Sequence, residues 1–143
     1  MTNVNVLLVD DEAPFVEALT RRLARRSLEI TPAFNGQEAL DNLAKSKTLE
    51  VVILDVKMPG MDGIETLKRI KESYPLIEVI MLTGHATVES AIEGMKFGAF
   101  DYLMKPCEIG DLVAKVEDAA ARKRLHEEKI VQARIREITE RRD

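Results

Sequence analysis

Four short, largely apolar runs, each ending directly before polar residues, restrict the possible folds of this chain more than any other feature. The runs are followed by Asp10-Asp11, by Asp55, by Thr83 and by Lys105-Pro106. Short apolar runs bounded by polar or turn residues are typical of buried strands in a parallel sheet. Because ligands bind at the carboxyl ends of strands in open α/β sheets, we predict that these polar residues converge at one edge.

Patterns typical of helices separate the apolar runs. After a proline that can open a helix, apolar residues recur at helical spacing at 15, 16, 19 and 23. Turn and loop signals follow at Asn35-Gly36, at residues 59–63 and at Pro75. We predict one further strand at residues 28–33, place the strands of the last two apolar runs near 77–82 and near 100–103, and expect helices over about 87–96 and from about 108. Five β-then-α units predict an α/β doubly wound parallel sheet with helices on both faces.

Composition and charge argue against several classes of protein. The 143 residues fit one domain, and 45% hydrophobic with 32% charged residues is ordinary for a soluble protein. The formal net charge of −4 gives no overall attraction to nucleic acid or anionic membranes. We expect a cytoplasmic protein, because no stretch approaches a membrane span and the N-terminus lacks a secretion-signal pattern. The single cysteine, Cys107, allows no internal disulfide.

Four motifs in this order resemble the receiver domain of two-component response regulators. They are VDDE, LDVKMPGMDG, LTGHA and DYLMKP, and the resemblance covers roughly residues 4 to 120. Each motif lies at the end of a predicted strand, which makes the combination far more specific than any one of them. The resemblance implies a flavodoxin-like strand order of 2-1-3-4-5, which spacing alone does not determine.

The aspartates at the strand ends predict a metal site. Carboxylates held together repel each other and raise one another's pKa, so a hard divalent cation such as Mg²⁺ (or Mn²⁺) suits this position. The resemblance implies that Asp11 and Asp55 are direct ligands, that Asp10 lies nearby, and that the backbone carbonyl of Lys57 is a further ligand. The alternative for Asp10 and Asp11 is an acidic pair that caps the first helix.

Asp55 is the candidate phosphoacceptor. A carboxylate can attack phosphorus to form an acyl phosphate, and this transfer needs mainly positioning and charge neutralisation. Thr83 offers a hydroxyl donor to the phosphoryl group, and the resemblance assigns Lys105 the same contact through its ammonium. It also implies a cis bond between Lys105 and Pro106. The alternatives are a turn aspartate, a strand-end hydroxyl and a solvated surface lysine.

The resemblance further implies a switch and its partners. Thr83 moves toward the phosphoryl group, and Tyr102 rotates into the space behind it. The surface of the fourth helix, fifth strand and fifth helix then changes for output or homodimerisation. Lys57 and His85 tune how fast the phosphoryl group is gained and lost. The expected phosphodonor is a sensor histidine kinase or phosphotransfer protein, and the chain is a signalling domain whose only catalysis is transfer to itself and slow hydrolysis.

Two other functions remain as alternatives. An aspartyl-nucleophile phosphohydrolase commonly carries a second aspartate two residues after the first, whereas Glu12 and Lys57 occupy those positions here. A flavin or nucleotide carrier is disfavoured because the loop after the first strand is acidic. The sequences of the last two motifs resemble those of receivers that precede transcriptional modules. The chain is therefore either a stand-alone receiver that acts by protein contact or a fragment of a larger regulator.

The C-terminal segment predicts a long helix. Residues 111–143 contain no Gly or Pro and carry nine basic and eight acidic residues, so we expect no direct nucleic-acid binding. We divide the chain into a receiver domain at 1–124 and a helical extension or linker at 125–143. Apolar residues continue a partial stripe along this extension, which is either a dimerisation helix or a solvated tail. They are Leu125, Ile130, Val131, Ile135 and Ile138.

Overall fold

A five-stranded parallel sheet forms the centre of the computed structural model, which describes residues 3–141. The strand order is 2-1-3-4-5, as the resemblance implied. The strands are β1 (Val4–Val9), β2 (Leu28–Ala33), β3 (Val51–Leu54), β4 (Glu78–Thr83) and β5 (Asp101–Met104). The helices are α1 (Ala13–Ala24), α2 (Gly36–Lys45), α3 (Gly63–Ser73), α4 (Val88–Lys96) and α5 (Ile109–Glu140). The predicted α/β doubly wound architecture is confirmed.

The two faces of the sheet carry separate apolar cores. Side chains of α1 and α5 pack on one face, and side chains of α2 and α3 pack on the other, where the end of α4 also contributes. The central strands β1, β3 and β4 are almost entirely buried. Near-continuous apolar runs are expected of strands covered on both faces, because every side chain then meets a helix. None of the helices between residues 3 and 141 combines the length and apolar character needed to cross a membrane.

The last two strands lie one residue later than the sequence predicted. β4 includes Thr83, which pairs in register with Met104 at the end of β5. The Lys105 backbone N–H then donates to the Thr83 carbonyl at 2.9 Å. Hydrogen bonds between strands therefore extend one position beyond the apolar runs, because the ladder depends on the backbone and continues through a polar side chain. This pairing sets Thr83 beside Lys105 at the functional edge.

Local capping fixes where three helices begin beside that edge. The side chains of Asn35, Asp62 and Thr87 accept hydrogen bonds from backbone N–H groups in the first turns of α2, α3 and α4. In α4 the cap is reciprocal, since the Ser90 hydroxyl also accepts from the Thr87 backbone N–H at 3.1 Å. Such caps satisfy backbone donors that have no partner within the helix.

Candidate functional site

The polar residues after β1, β3, β4 and β5 meet at the carboxyl edge of the sheet. Carboxylate oxygens of Asp10, Asp11 and Asp55 all lie within 4.8 Å of one another. Lys105 reaches the same place, with its Nζ 4.0 Å from Asp55 Oδ2. Asp55 and Thr83 are buried, whereas Asp11 is exposed. The predicted convergence is therefore present, with Asp55 and Thr83 buried and Asp11 exposed at the same edge.

The closest ionic contact joins the first and last of these segments. Lys105 Nζ donates to Asp10 Oδ2 at 2.6 Å. The other oxygen of Asp10 accepts from the Glu12 backbone N–H at 2.9 Å, within the turn that leads into α1. Each Asp10 oxygen therefore accepts one hydrogen bond. One bond holds Lys105 at the site, and the other fixes the turn into α1.

The pKa of Asp10 is raised above its ordinary value, and burial is the largest cause. The hydrogen bonds from Lys105 and from the Glu12 backbone oppose that rise, and the negative charge of Asp55 adds to it. The sequence suggested repulsion between the aspartates as the cause of a raised pKa. For Asp10 this repulsion raises the pKa less than burial does. Burial therefore opposes ionisation of Asp10, and the contact with the Lys105 ammonium favours it.

Asp55 presents one oxygen to the pocket. Its Oδ1 accepts from the Val56 backbone N–H at 2.8 Å, and its Oδ2 is the oxygen measured near Lys105. The Thr83 hydroxyl accepts from the His85 backbone N–H at 3.0 Å. Because that bond uses an oxygen lone pair, the hydroxyl proton of Thr83 stays available to another acceptor.

The remaining predicted site residues lie around this pocket. The side chains of Lys57 and His85 are exposed, each two residues after a buried member of the site. The Lys105–Pro106 peptide bond is cis, the form that the resemblance implied. The backbone carbonyl of Lys57 stays a predicted ligand.

Tyr102 is half-buried and held by α4. Its hydroxyl lies 2.6 Å from the Ser90 hydroxyl, and either group can donate. Its ring packs against Gly94, where an added Cβ would stand 3.3 Å from a ring carbon. The predicted switch aromatic is therefore tied to the same serine that caps α4, a link that the sequence did not reveal.

The sequence reasoning missed two further residues at the site. The Phe15 ring lies beneath the ammonium of Lys105, with Nζ 3.9 Å from the ring centroid. Gly63 lies against the backbone of Asp55, so an added Cβ would stand 2.0 Å from the Asp55 carbonyl oxygen. Helical spacing had marked Phe15 only as a core residue, and Gly63 had been assigned to a loop.

The donor set suits a hard divalent cation. Asp11 and Asp55 are the carboxylates best placed to hold Mg²⁺ or Mn²⁺, because the Lys105 ammonium lies 2.6 Å from Asp10 Oδ2 but 4.0 Å from Asp55 Oδ2. Carboxylate oxygens, with water completing the shell, are the ligands that Mg²⁺ prefers. When bound, the ion would offset the negative charge of the aspartates and of phosphoryl oxygens.

Comparison with known proteins identifies related sequences. A sequence model of one family, the response regulator receiver domain, matches residues 6–117. The DNA-binding transcriptional regulator NtrC of Escherichia coli K12 is 45% identical over 114 residues, which cover 80% of this chain and 24% of NtrC. The transcriptional regulatory protein ZraR of Klebsiella oxytoca is 36% identical over 129 residues, 90% of this chain and 29% of ZraR. The chain thus spans about a quarter of the length of these curated relatives.

Solved structures with the same fold include isolated receivers and larger regulators. A response regulator receiver domain protein from Clostridium thermocellum matches with a TM-score of 0.81 and 36% identity, over 85% of this chain and 98% of that chain. NtrX from Brucella abortus, solved in complex with ADP, matches with a TM-score of 0.81 and 29% identity, over 88% of this chain and 29% of NtrX.

Proposed function

Because this chain belongs to the response regulator receiver family, we propose that Asp55 accepts a phosphoryl group from a sensor histidine kinase or a phosphotransfer protein. The observation that carries this proposal is the buried Asp55 carboxylate, 2% exposed, with the Lys105 ammonium 4.0 Å away and two further aspartates beside it. An Asp55 oxygen attacks phosphorus as the bond between phosphorus and the donor breaks. The products are an aspartyl phosphate and the released donor.

The neighbouring side chains have distinct roles in this proposal. Lys105 leaves Asp10 and pairs with a phosphoryl oxygen, while the free hydroxyl proton of Thr83 is donated to another. Both contacts stabilise the negative charge on the phosphoryl oxygens, because the ammonium and the hydroxyl already lie beside Asp55 before transfer begins. Asp11, Asp55 and the backbone carbonyl of Lys57 would hold the cation, with Asp10 beside them, and the exposed side chains of Lys57 and His85 would tune how fast the phosphoryl group is gained and lost. The chain catalyses transfer to itself and slow hydrolysis, and otherwise acts as a signalling domain.

The test of this proposal is the intact mass of the protein after incubation with acetyl phosphate. We expect a gain of one phosphoryl group that requires Mg²⁺ and disappears when EDTA is added. Mild base should then remove the group, because acyl phosphates are hydrolysed there and phosphoserine esters are not. An unchanged mass with acetyl phosphate and with a phosphorylated phosphotransfer protein would contradict the proposal.

We further propose that the output of this receiver is transcriptional regulation, through a larger regulator in the cytoplasm. The support is the 45% identity to NtrC, whose length is about four times the matched segment. The receiver itself takes part through protein contacts, since its net charge of −4 disfavours direct binding to nucleic acid.

The surface proposed for output carries an apolar stripe on α4. Val88, Ile92 and Met95 lie at i, i+4 and i+7, and between 49% and 77% of each is exposed. Met104 at the end of β5 is also exposed. A contiguous apolar stripe on an otherwise polar surface is typical of an interaction site. This supports the proposed switch face of α4, β5 and α5.

The Ser90–Tyr102 hydrogen bond is expected to hold Tyr102 in its present orientation against α4. The Ser90→Ala variant loses this bond, so the population of Tyr102 in other orientations should rise by about two- to tenfold, the range that a net hydrogen bond supports. Fluorine NMR of 3-fluorotyrosine can measure that population, with Tyr74 as an internal reference.

Thr87→Ala is the matched control for that experiment. It breaks the α4 cap but leaves Ser90 beside Tyr102. If the Tyr102 signal shifts equally in Ser90→Ala and Thr87→Ala, the loss of the α4 cap explains the shift. That result would contradict the proposal that the Ser90 hydrogen bond restrains Tyr102.

We propose that the C-terminal extension contributes to a homodimer. α5 is fixed to the base of the sheet, where Arg122 pairs with the buried Glu78 and Arg124 binds Glu50 with two bonds of 2.7 and 2.8 Å. Beyond this point every described residue from 128 to 141 is exposed. Three of these residues are apolar and lie on one side of α5. With a rotation of about 100° per residue around the helix axis, they fall within about 60° of one another. They are Val131, Ile135 and Ile138.

Removal of residues 125–143 is expected to convert the dimer to a monomer in sedimentation velocity. In the full chain, Ile135→Glu should weaken the dimer as well, because a buried, unpaired charge is costly at a helix interface. Ala133→Glu is the matched control, since this exposed residue lies on the opposite side of the helix. If the full chain, the truncated chain, Ile135→Glu and Ala133→Glu all sediment identically, the C-terminal extension is a solvated tail and the proposed dimer is contradicted.

A further inference from the structure

Lys105 approaches the Phe15 ring as closely as it approaches Glu12 and Asp55. Its Nζ lies 3.9 Å from the centroid of the Phe15 ring, 3.9 Å from Glu12 Oε1 and 4.0 Å from Asp55 Oδ2. The ion pair of Lys105 with Asp10 is shorter, at 2.6 Å. The Lys105 side chain is 16% exposed, and the Phe15 ring is one of the groups packed around its ammonium.

The fold places Phe15 at this position through the turn after β1. Asp10 ends the strand, its side chain fixes the turn through Glu12, and Phe15 follows in the first turn of α1. The ring is half-buried and packs against the core on the α1 and α5 face of the sheet. One side of the ring is thus held by the core, while the ammonium lies over the ring.

We propose that Phe15 is a positioning residue for Lys105 in phosphoryl transfer, an inference that rests on the proposed function. The face of an aromatic ring attracts an ammonium and, unlike a carboxylate, carries no net charge. Lys105 can therefore exchange Asp10 for a phosphoryl oxygen and keep its contact with the ring. The ring restricts the ammonium to the neighbourhood of Asp55 and limits its access to water.

A purely structural role for Phe15 makes a different prediction. Leucine would replace most of the apolar contact with the core but has no ring face for the cation. Tyrosine would keep the ring face and add a hydroxyl. If Phe15 serves only the core, both variants change the free energy of unfolding while the transfer rate of the folded protein stays the same.

The experiment compares Phe15→Leu and Phe15→Tyr with the wild type in two measurements. In Mg²⁺-free protein, proton NMR should show an upfield ring-current shift of the Lys105 ε-methylene in the wild type and Phe15→Tyr, and its loss in Phe15→Leu. With saturating Mg²⁺, the rate of phosphorylation by acetyl phosphate should fall about three- to tenfold in Phe15→Leu, as expected for loss of one cation–π contact. The Mg²⁺ concentration for half-maximal rate should not change.

Phe100→Leu is the matched control, because the Phe100 ring lies 4.7 Å from the Arg122 guanidinium at the opposite end of β5 and packs on the same core. Wild-type rate and wild-type Lys105 shift are expected there. An unaltered rate or an unaltered Lys105 shift in Phe15→Leu overturns the inference. If the wild type gains no phosphoryl group, the proposed function fails, and the NMR shift still decides whether Phe15 holds Lys105.

Discussion

The Asp55→Asn variant is expected to show no mass gain with acetyl phosphate and Mg²⁺, while its fold stays intact. An amide oxygen is a poor nucleophile toward phosphorus, so the labelled fraction should fall to background. Asparagine has the same shape and keeps the acceptor for the Val56 backbone N–H, which holds Asp55 Oδ1 at 2.8 Å. The loss is therefore chemical rather than structural.

The same variant should also be at least as stable as the wild type. Asp55 raises the pKa of Asp10 by repulsion, so removing its charge relieves strain between two buried carboxylates. The lost attraction to Lys105 acts over 4.0 Å and is weaker than the pairing of Lys105 with Asp10. Thermal unfolding without Mg²⁺ measures this effect, and a midpoint equal to or above that of the wild type is expected.

Asp101→Asn is the control for the Asp55 experiment. Asp101 is another aspartate of the sheet, but it begins β5 and pairs with Lys115 at 2.8 Å, away from the carboxyl edge. This variant should label like the wild type. A full mass gain in Asp55→Asn, located by peptide mapping on a different aspartate, would show that Asp55 is not the phosphoacceptor.

The sequence predicted the edge of the sheet because its signals there are local. Each apolar run identifies a buried strand, and the residue after it must lie where that strand ends. The alternation of strands and helices predicted the fold class for the same reason. Strand order is different, because it depends on contacts between distant segments, and only the family resemblance supplied it.

Partners across the sheet could not be predicted from periodicity. The pairing of Asp10 with Lys105 joins residues 95 positions apart, and Arg122 reaches the buried Glu78 over 44 positions. In the sequence Arg122 was one charge in a mixed helical tail. Apolar spacing indicates which side of a helix is buried, but it does not indicate which polar group a long side chain reaches.

Phe15 shows the same limit at the site itself. Its spacing with Leu19 and Leu23 predicted a core position, and the structure confirms that it packs against the core. The contact with Lys105 arises because the ring also faces the carboxyl edge, where no sequence pattern distinguishes a packing aromatic from one beneath a cation. The signal available was its place in the first turn after a strand-end aspartate.

Gly63 is expected to tolerate no side chain, for a steric reason. It opens α3, and its backbone N–H donates to the Val56 carbonyl at 2.7 Å. An added Cβ would stand 2.0 Å from the Asp55 carbonyl oxygen and 2.7 Å from Val56 Cα. Both are backbone atoms, so no side chain can rotate away to relieve the overlap.

The Gly63→Ala variant should therefore displace either α3 or the segment that carries Asp55. We expect a loss of about 3 kcal/mol in the free energy of unfolding, at the upper end for overpacked sites, and a midpoint lower by about 10 °C. The rate of phosphorylation should fall roughly tenfold to hundredfold, because the reacting carboxylate no longer has its required position. Thermal unfolding and the acetyl phosphate assay measure the two effects on one preparation.

Gly110→Ala separates steric overlap from the general effect of replacing a helical glycine. Gly110 is in the first turn of α5, and an added Cβ would meet nothing within 4 Å. Alanine there should leave phosphorylation unchanged and stabilise the protein by up to about 1 kcal/mol, since glycine is the poorer helix former. If Gly63→Ala unfolds and labels like Gly110→Ala, the contact between α3 and the Asp55 backbone does not hold the phosphoacceptor in place.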